Sequence, residues 1–189
     1  MQRDERFKIK PLPLSGACLI ARKKLGDDRG FLERFFCGRE LAESIGFGSV
    51  AQINRTYTSA AGVVRGMHYQ VSSSVEGKII TCLRGAVLDV IVDIRRGSPT
   101  LLQHIKVELK SDDGTSLFVP RGFAHGFQTI EPDTELLYLH DNYYDEKNET
   151  GLFPLDPMIG IQWPLKINQM SNRDQNHPKI SINFEGIFI

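Results

Sequence analysis

The sequence predicts an all-β protein, an antiparallel sandwich or barrel with a few short helices at its periphery. Two features carry this expectation. Short runs rich in β-branched and aromatic residues recur at intervals of roughly 8–12 residues. Gly, Pro, Asp or Ser turns separate them, and helical periodicity is clear in one stretch before the C-terminal third. The expected strands cover 17–22, 34–37, 50–58, 63–70, 78–85, 87–94, 104–109, 116–120, 126–130 and 135–140. In "HIKVELK", Ile105, Val107 and Leu109 alternate with Lys106, Glu108 and Lys110, as in a strand with one face in water. "VLDVIVDI" is apolar on both faces apart from Asp89 and Asp93, which places it centrally. "GRELAESIGFG" reads as a helix, with Leu41 and Ile45 on one face and Gly46 placed to end it. After Trp163 come Pro164, Pro178 and little periodicity, so loops and short helical turns are expected there.

With 189 residues, 41% of them apolar, the chain is expected to form one domain over 1–189. An N-terminal arm of about 1–16 and a C-terminal wrap of about 164–189 would flank its centre. The formal net charge is zero, so the whole molecule carries no electrostatic signature for nucleic acid or acidic membranes. Cys18, Cys37 and Cys82 are an odd, widely spaced set, which suits free thiols in a reducing compartment. The opening "MQRDERFKIK" is charged, and no apolar run approaches the ~18 residues of a membrane helix. A soluble cytoplasmic protein is the expectation.

"VVRGMHYQ" places Arg65 and His68 in a run otherwise suited to a buried strand, where both are expensive without a partner or a task. This stretch and "PRGFAH" resemble the paired motifs of a cupin, the small jelly-roll β-barrel. Gly62 precedes His68 by six, although Gln70 stands where a second histidine is usual; Pro120, Gly122 and His125 supply the other motif. His68, Glu76 and His125 could hold a metal, since divalent transition metals need several N/O ligands converging on one point. The absence of a histidine at position 70 favours a pocket with organic acid–base chemistry and no metal. A neutral imidazole is a competent base when a carboxylate fixes its tautomer, and Asp89, Asp93 and Asp174 are all candidates for that carboxylate. Tyr138, Tyr143 or Tyr144 could serve as acid, and Arg29, Arg65 and Lys78 could bind phosphate or an oxyanion.

Six ordered blocks sharpen this reading: "GDDRGFLERFF", "VVRGMHYQ", "GKIITCLRGAVLDVIVDIRRGSPT", "VPRGFAHGFQT", "TELLYLHDNYY" and "IGIQWP". In order and spacing they resemble the dTDP-4-dehydrorhamnose 3,5-epimerase family, from about residue 12 to about residue 178. The resemblance implies a cupin-type jelly roll, a homodimer, no metal and no cofactor. The implied substrate is a dTDP-linked 4-keto-6-deoxyhexose, epimerised at C3 and C5. It also implies roles. His68 would be the base, Asp174 its partner, Tyr138 the acid on the opposite face of the sugar, and Lys78 the cation near the developing oxyanion. Arg65, Gln52, Asn54, His125, Tyr144 and Arg173 would bind the nucleotide sugar, with Arg29 reaching in from the partner subunit. Arg34 and Thr81 depart from the family's common pattern, as does "VSSSVEGK". A C3-only epimerase, a metal-dependent cupin enzyme and a silent nucleotide-sugar-binding barrel are the alternatives.

Overall fold

The computed structural model describes residues 5–189. In chain order its strands are β1 (Phe7–Pro11), β2 (Cys18–Arg22), β3 (Lys24–Asp27), β4 (Gly30–Glu33), β5 (Gln52–Thr58), β6 (Val63–Gln70) and β7 (Lys78–Arg84). Then follow β8 (Ala86–Asp93), β9 (His104–Lys110), β10 (Thr115–Val119), β11 (Phe123–Thr129), β12 (Thr134–His140), β13 (Glu149–Gly151) and β14 (Gln169–Met170). Helix α1 spans Gly38–Ile45 and α2 spans Asn172–Gln175.

Two antiparallel sheets face each other, one ordered β1-β2-β10-β7-β12-β5 and the other β13-β6-β11-β8-β9, with β14 added beside β6. The sheets do not close on each other, so the jelly roll is a sandwich rather than a barrel. The period-two alternation of its strands builds three apolar layers. Ile80, Leu117 and Leu136 of the first sheet meet Val87, Ile91, Phe123 and Phe127 of the second in the middle. The opposite faces are covered too. Ile79, Phe118 and Leu139 pack with Leu41 of α1 and Phe47. Val90, Val92 and Ala124 pack under Leu152, Ile159 and Ile161, which precede the C-terminal wrap, and under Ile180 within it.

Alternation also positions the polar residues. On β12, Leu136 is in the central core, and Tyr138 and His140 follow it at two-residue steps. On β8, Asp89 lies between Val87 and Ile91 on the same face. At one end of the sandwich the inward apolar positions therefore give way to polar ones, and the cavity opens there.

Several expectations need correction. The run 34–37 is not a strand: the hairpin β3–β4 precedes it, and Phe36 and Cys37 instead pack beside Leu41 and Phe47. The N-terminal arm is in part a strand, because β1 pairs with β2 from Phe7↔Arg22 to Pro11↔Cys18; residues 1–4 of that arm lie outside the described residues. Thr81, one of the departures from the family's common pattern, is buried and pairs through its hydroxyl with Ser116. Helix α1 ends as expected: Gly46 adopts φ 74° and its N–H donates to Ala42 O at 3.1 Å. Cys18, Cys37 and Cys82 are free. No helix among the described residues is long and apolar enough to cross a membrane.

Candidate active site

A cavity of about 310 Å³ opens at the polar end of the sandwich. It draws most of its side chains from five strands. Gln52, Asn54 and Thr56 come from β5, Arg65 and His68 from β6, Lys78 from β7, His125 and Phe127 from β11, and Tyr138 and His140 from β12. Each group except the β6 pair is spaced by two, as one face of a strand requires. Arg65 and His68 are three apart and would point to opposite sides of a regular strand. The β11–β6 register shifts between His125 and Phe127, and Gly66 adopts φ 114° between the two residues. This irregularity turns His68 to the same cavity as Arg65, while Met67 goes into the covered outer core.

His68 Nε2 lies 2.7 Å from Asp174 Oδ1. Arg173 Nη2 lies 3.0 Å from the same nitrogen. The two contacts compete for one nitrogen, because a guanidinium only donates and an ionised carboxylate only accepts; with the proton on Nε2, His68 donates to Asp174 and Nδ1 carries the lone pair. Asp174 is on α2 behind the cavity, held by Ser171 Oγ, which accepts from its backbone N–H at 3.0 Å. Burial pushes its carboxyl up, but His68 and the Gly66 N–H outweigh this and hold it below the usual range. Arg173 makes its main ion pair with Glu149, at 2.6 Å.

The three candidate aspartates therefore separate. Asp174 takes His68. Asp89, fully buried, takes His125, whose Nε2 lies 3.0 Å from Oδ2. Burial pushes Asp89 up and His125 down, and their mutual attraction opposes both shifts. Asp93 is outside the site, accepting from Arg95, Ser98 and Thr100.

The tyrosines separate as well. Tyr138 is buried in the cavity wall, and burial raises its hydroxyl well above the ordinary value, so the phenol stays protonated at neutral pH. Tyr144 is half exposed at the mouth, its N–H donating to Gln52 Oε1 at 2.9 Å and its hydroxyl to Glu149 at 3.0 Å. Tyr143 is exposed to solvent; its carbonyl accepts from Gln70 Nε2 at 3.2 Å and its N–H donates to Asn142 Oδ1 at 2.9 Å. Gln70 also accepts from the Asp145 N–H at 2.7 Å. It thus shapes the segment that carries Tyr144.

Lys78 is buried and ion-paired with Glu76 at 3.0 Å. Arg29 is not brought to the cavity: it sits on the turn between β3 and β4, paired with Asp27 at 2.5 Å and 89% exposed. Arg34 pairs with Glu40 at 2.6 Å and does not line the cavity either. The trio His68, Glu76 and His125 does not converge, since each is engaged with a different partner. Among the described residues the set that does gather is His68, Asp174 and His177, with ligand atoms within 4.8 Å of one another. Five cavity residues escaped the sequence reading: Thr56, Tyr69, Phe127, His140 and Glu149. For His140 and Phe127 a signal was available, because each stands two residues from a predicted site residue on the same strand. Glu149, on the short β13, had none.

The cavity combines a carboxylate-backed imidazole, a protonated phenol, a buried ammonium and two guanidinium groups, a set suited to moving protons next to a carbonyl in an anionic ligand. The family model for dTDP-4-dehydrorhamnose 3,5-epimerase matches residues 11–181. A dTDP-4-dehydrorhamnose 3,5-epimerase of Streptomyces griseus is 39% identical over 175 residues, covering 92% of this chain and 86% of the relative. A dTDP-4-dehydrorhamnose 3-epimerase of Streptomyces niveus is 37% identical over 172 residues, covering 90% and 82%. Among solved structures, the dTDP-6-deoxy-D-glucose-3,5-epimerase of Legionella pneumophila in complex with dTDP-4-keto-L-rhamnose superposes with a TM-score of 0.88 at 32% identity, covering 97% of this chain and 99% of that one. Fold, cavity and sequence agree, and the chain belongs to the dTDP-4-dehydrorhamnose 3,5-epimerase family.

Proposed function

We propose that this chain inverts C3 and C5 of a dTDP-4-keto-6-deoxyhexose, as a single cytoplasmic domain working without metal or cofactor. The observation that carries the reading is the His68–Asp174 pair, 2.7 Å apart, on the wall of a cavity that also holds Tyr138 and Lys78. The C4 ketone acidifies the hydrogens on C3 and C5. His68 removes one, with Asp174 stabilising the imidazolium that forms. Negative charge develops on the C4 oxygen, where Lys78 meets it. Tyr138 returns a proton to the opposite face. Arg65 and Arg173 take the diphosphate, Gln52 and Asn54 the sugar or nucleotide, Tyr144 stacks on the base, and His125, backed by Asp89, is the second histidine beside the sugar.

The same reading includes a homodimer. Arg29 is carried on an exposed hairpin whose Phe31 and Leu32 are 63% and 69% exposed. The outer face of edge strand β5 shows Ile53 and Tyr57, 60% and 52% exposed. Apolar surface of this kind on an unpaired edge is suited to a second copy, which would bring Arg29 to the neighbouring cavity.

Proton NMR of dTDP-4-keto-6-deoxyglucose incubated with the protein in D₂O tests the chemistry. Both the C3 and C5 proton signals should disappear, and His68→Ala should abolish the exchange while the protein stays folded. Loss of the C3 signal alone would make the chain a C3-epimerase, as the Streptomyces niveus relative is named. Full activity in His68→Ala would overturn the assignment of the base.

A further inference from the structure

We infer that Glu76 and His140 are a positioning pair that aims Lys78 at the reacting carbonyl, an inference that rests on the function proposed above. Glu76 lies in the turn before β7, and His140 ends β12 directly opposite Lys78 in the register. All three line the cavity, and their side chains are each less than a tenth exposed. Glu76 Oε1 is 3.0 Å from Lys78 Nζ, and Oε2 is 2.8 Å from His140 Nδ1. Both carboxylate oxygens are therefore engaged, one by the ammonium and one by the imidazole.

His140 extends the chain. With Nδ1–H donated to Glu76, its Nε2 is an acceptor, and Asn54 Nδ2 approaches it at 3.5 Å. Asn54 belongs to β5, on the far side of β12 from Lys78. The His140 ring also stacks on Tyr138, at 6.1 Å between centroids and 23° between planes. One connected set thus runs Asn54–His140–Glu76–Lys78 across three strands and fixes the ring of the proposed acid along the way.

A carboxylate that only neutralised a buried lysine would need no second partner. Here the other oxygen is tied to a histidine, so Glu76 cannot swing and Lys78 cannot follow it. One ammonium N–H is directed at Glu76, which orients the remaining two. Lys78 acts on charge that appears only as the enolate forms, so losing its aim should lower kcat and leave KM little changed.

The test is a kinetic cycle on the 4-keto sugar nucleotide, reading kcat, KM and solvent deuterium exchange. Glu76→Gln should lower kcat about tenfold with KM within about twofold, and His140→Phe, which keeps the ring stack, about threefold. In a Lys78→Ala background, neither substitution should cause further loss, because both act through Lys78. Equal losses in the two backgrounds, or a raised KM with unchanged kcat, would overturn the inference. If Glu76→Gln does not fold, His140→Phe alone decides by the same comparison. Should the wild-type chain exchange no proton, the proposed function falls and this inference with it; exchange with additive losses removes the inference alone.

Discussion

Single side chains in this cavity carry consequences beyond catalysis. Burial of Glu76 opposes its ionisation, but the Lys78 ammonium and the His140 hydrogen bond more than compensate, and the carboxyl falls from an ordinary 4.5 to about 2. The folded value lies below the unfolded one. Glu76 therefore contributes stability in full above about pH 4.5, and that contribution is lost as the pH falls from there through about 2. The quantity at stake is on the order of 3 kcal/mol. Urea unfolding at a series of pH values should show wild-type stability dropping across that window. Glu76→Gln should be less stable at neutral pH and flatter below it; a mutant as steep as the wild type would remove Glu76 from the acid response. At this scale the sequence was legible in kind and not in pairing. Histidine, aspartate and tyrosine suggested acid–base chemistry from the residues alone. Three aspartates competed for one histidine, and spacing along a chain does not say which loop folds behind which strand. Asp174 is 106 residues from His68 and reaches it through α2. That pairing was visible only through family resemblance.

At the scale of elements, the site depends on one irregular strand. Arg65 and His68 share a cavity because β6 departs from regular alternation at Gly66. Gly66 has φ 114°, where an L side chain is strained, and an added Cβ would lie 2.6 Å from Gly126 Cα and 2.7 Å from His125 O. Backbone cannot yield there as a flexible side chain could. Gly66→Ala should cost roughly 3 kcal/mol, lowering Tm by about 10 °C for a chain of this size. It should also reduce turnover of the surviving folded protein, since His68 would be re-aimed. Scanning calorimetry beside single-turnover exchange separates the two effects; a mutant with wild-type Tm would show that the strand does not need the glycine. The regular strands were readable because alternation records which face is wet. The missed elements give less of that record: β1 alternates Phe7 and Ile9 with Lys8 and Lys10 but is only five residues long, and β3–β4 is a hairpin whose Phe31 and Leu32 are exposed. Residues 34–37 misled in the opposite sense. Phe36 and Cys37 are apolar because they pack against the cluster around α1, Phe35 lies against the Arg22 guanidinium, and none of the four is in a strand.

At the scale of the whole molecule, the cavity of one chain is a partial site on the proposed reading. It holds Arg65 and Arg173 for an anionic ligand, while Arg29 stands on its exposed hairpin with only Asp27 for company. A second copy would cover Phe31, Leu32, Ile53 and Tyr57, remove a free β5 edge and deliver Arg29 to a neighbour. Assembly and substrate affinity are then linked, because each needs the same hairpin to be docked. Sedimentation should find a dimer for the wild type and a monomer for Ile53→Arg, which places a charge in the apolar contact. Arg29→Ala should remain a dimer and raise KM for the sugar nucleotide about tenfold, the scale of one charge-assisted phosphate contact. Mixing Arg29→Ala with His68→Ala gives the sharper comparison. In a mixed dimer one cavity combines an intact His68 with an intact Arg29 from the other chain, so at substrate well below KM activity should exceed that of either variant alone. If the mixture gains nothing although subunits exchange, Arg29 serves only its own chain, and the dimer, if it forms, has another purpose.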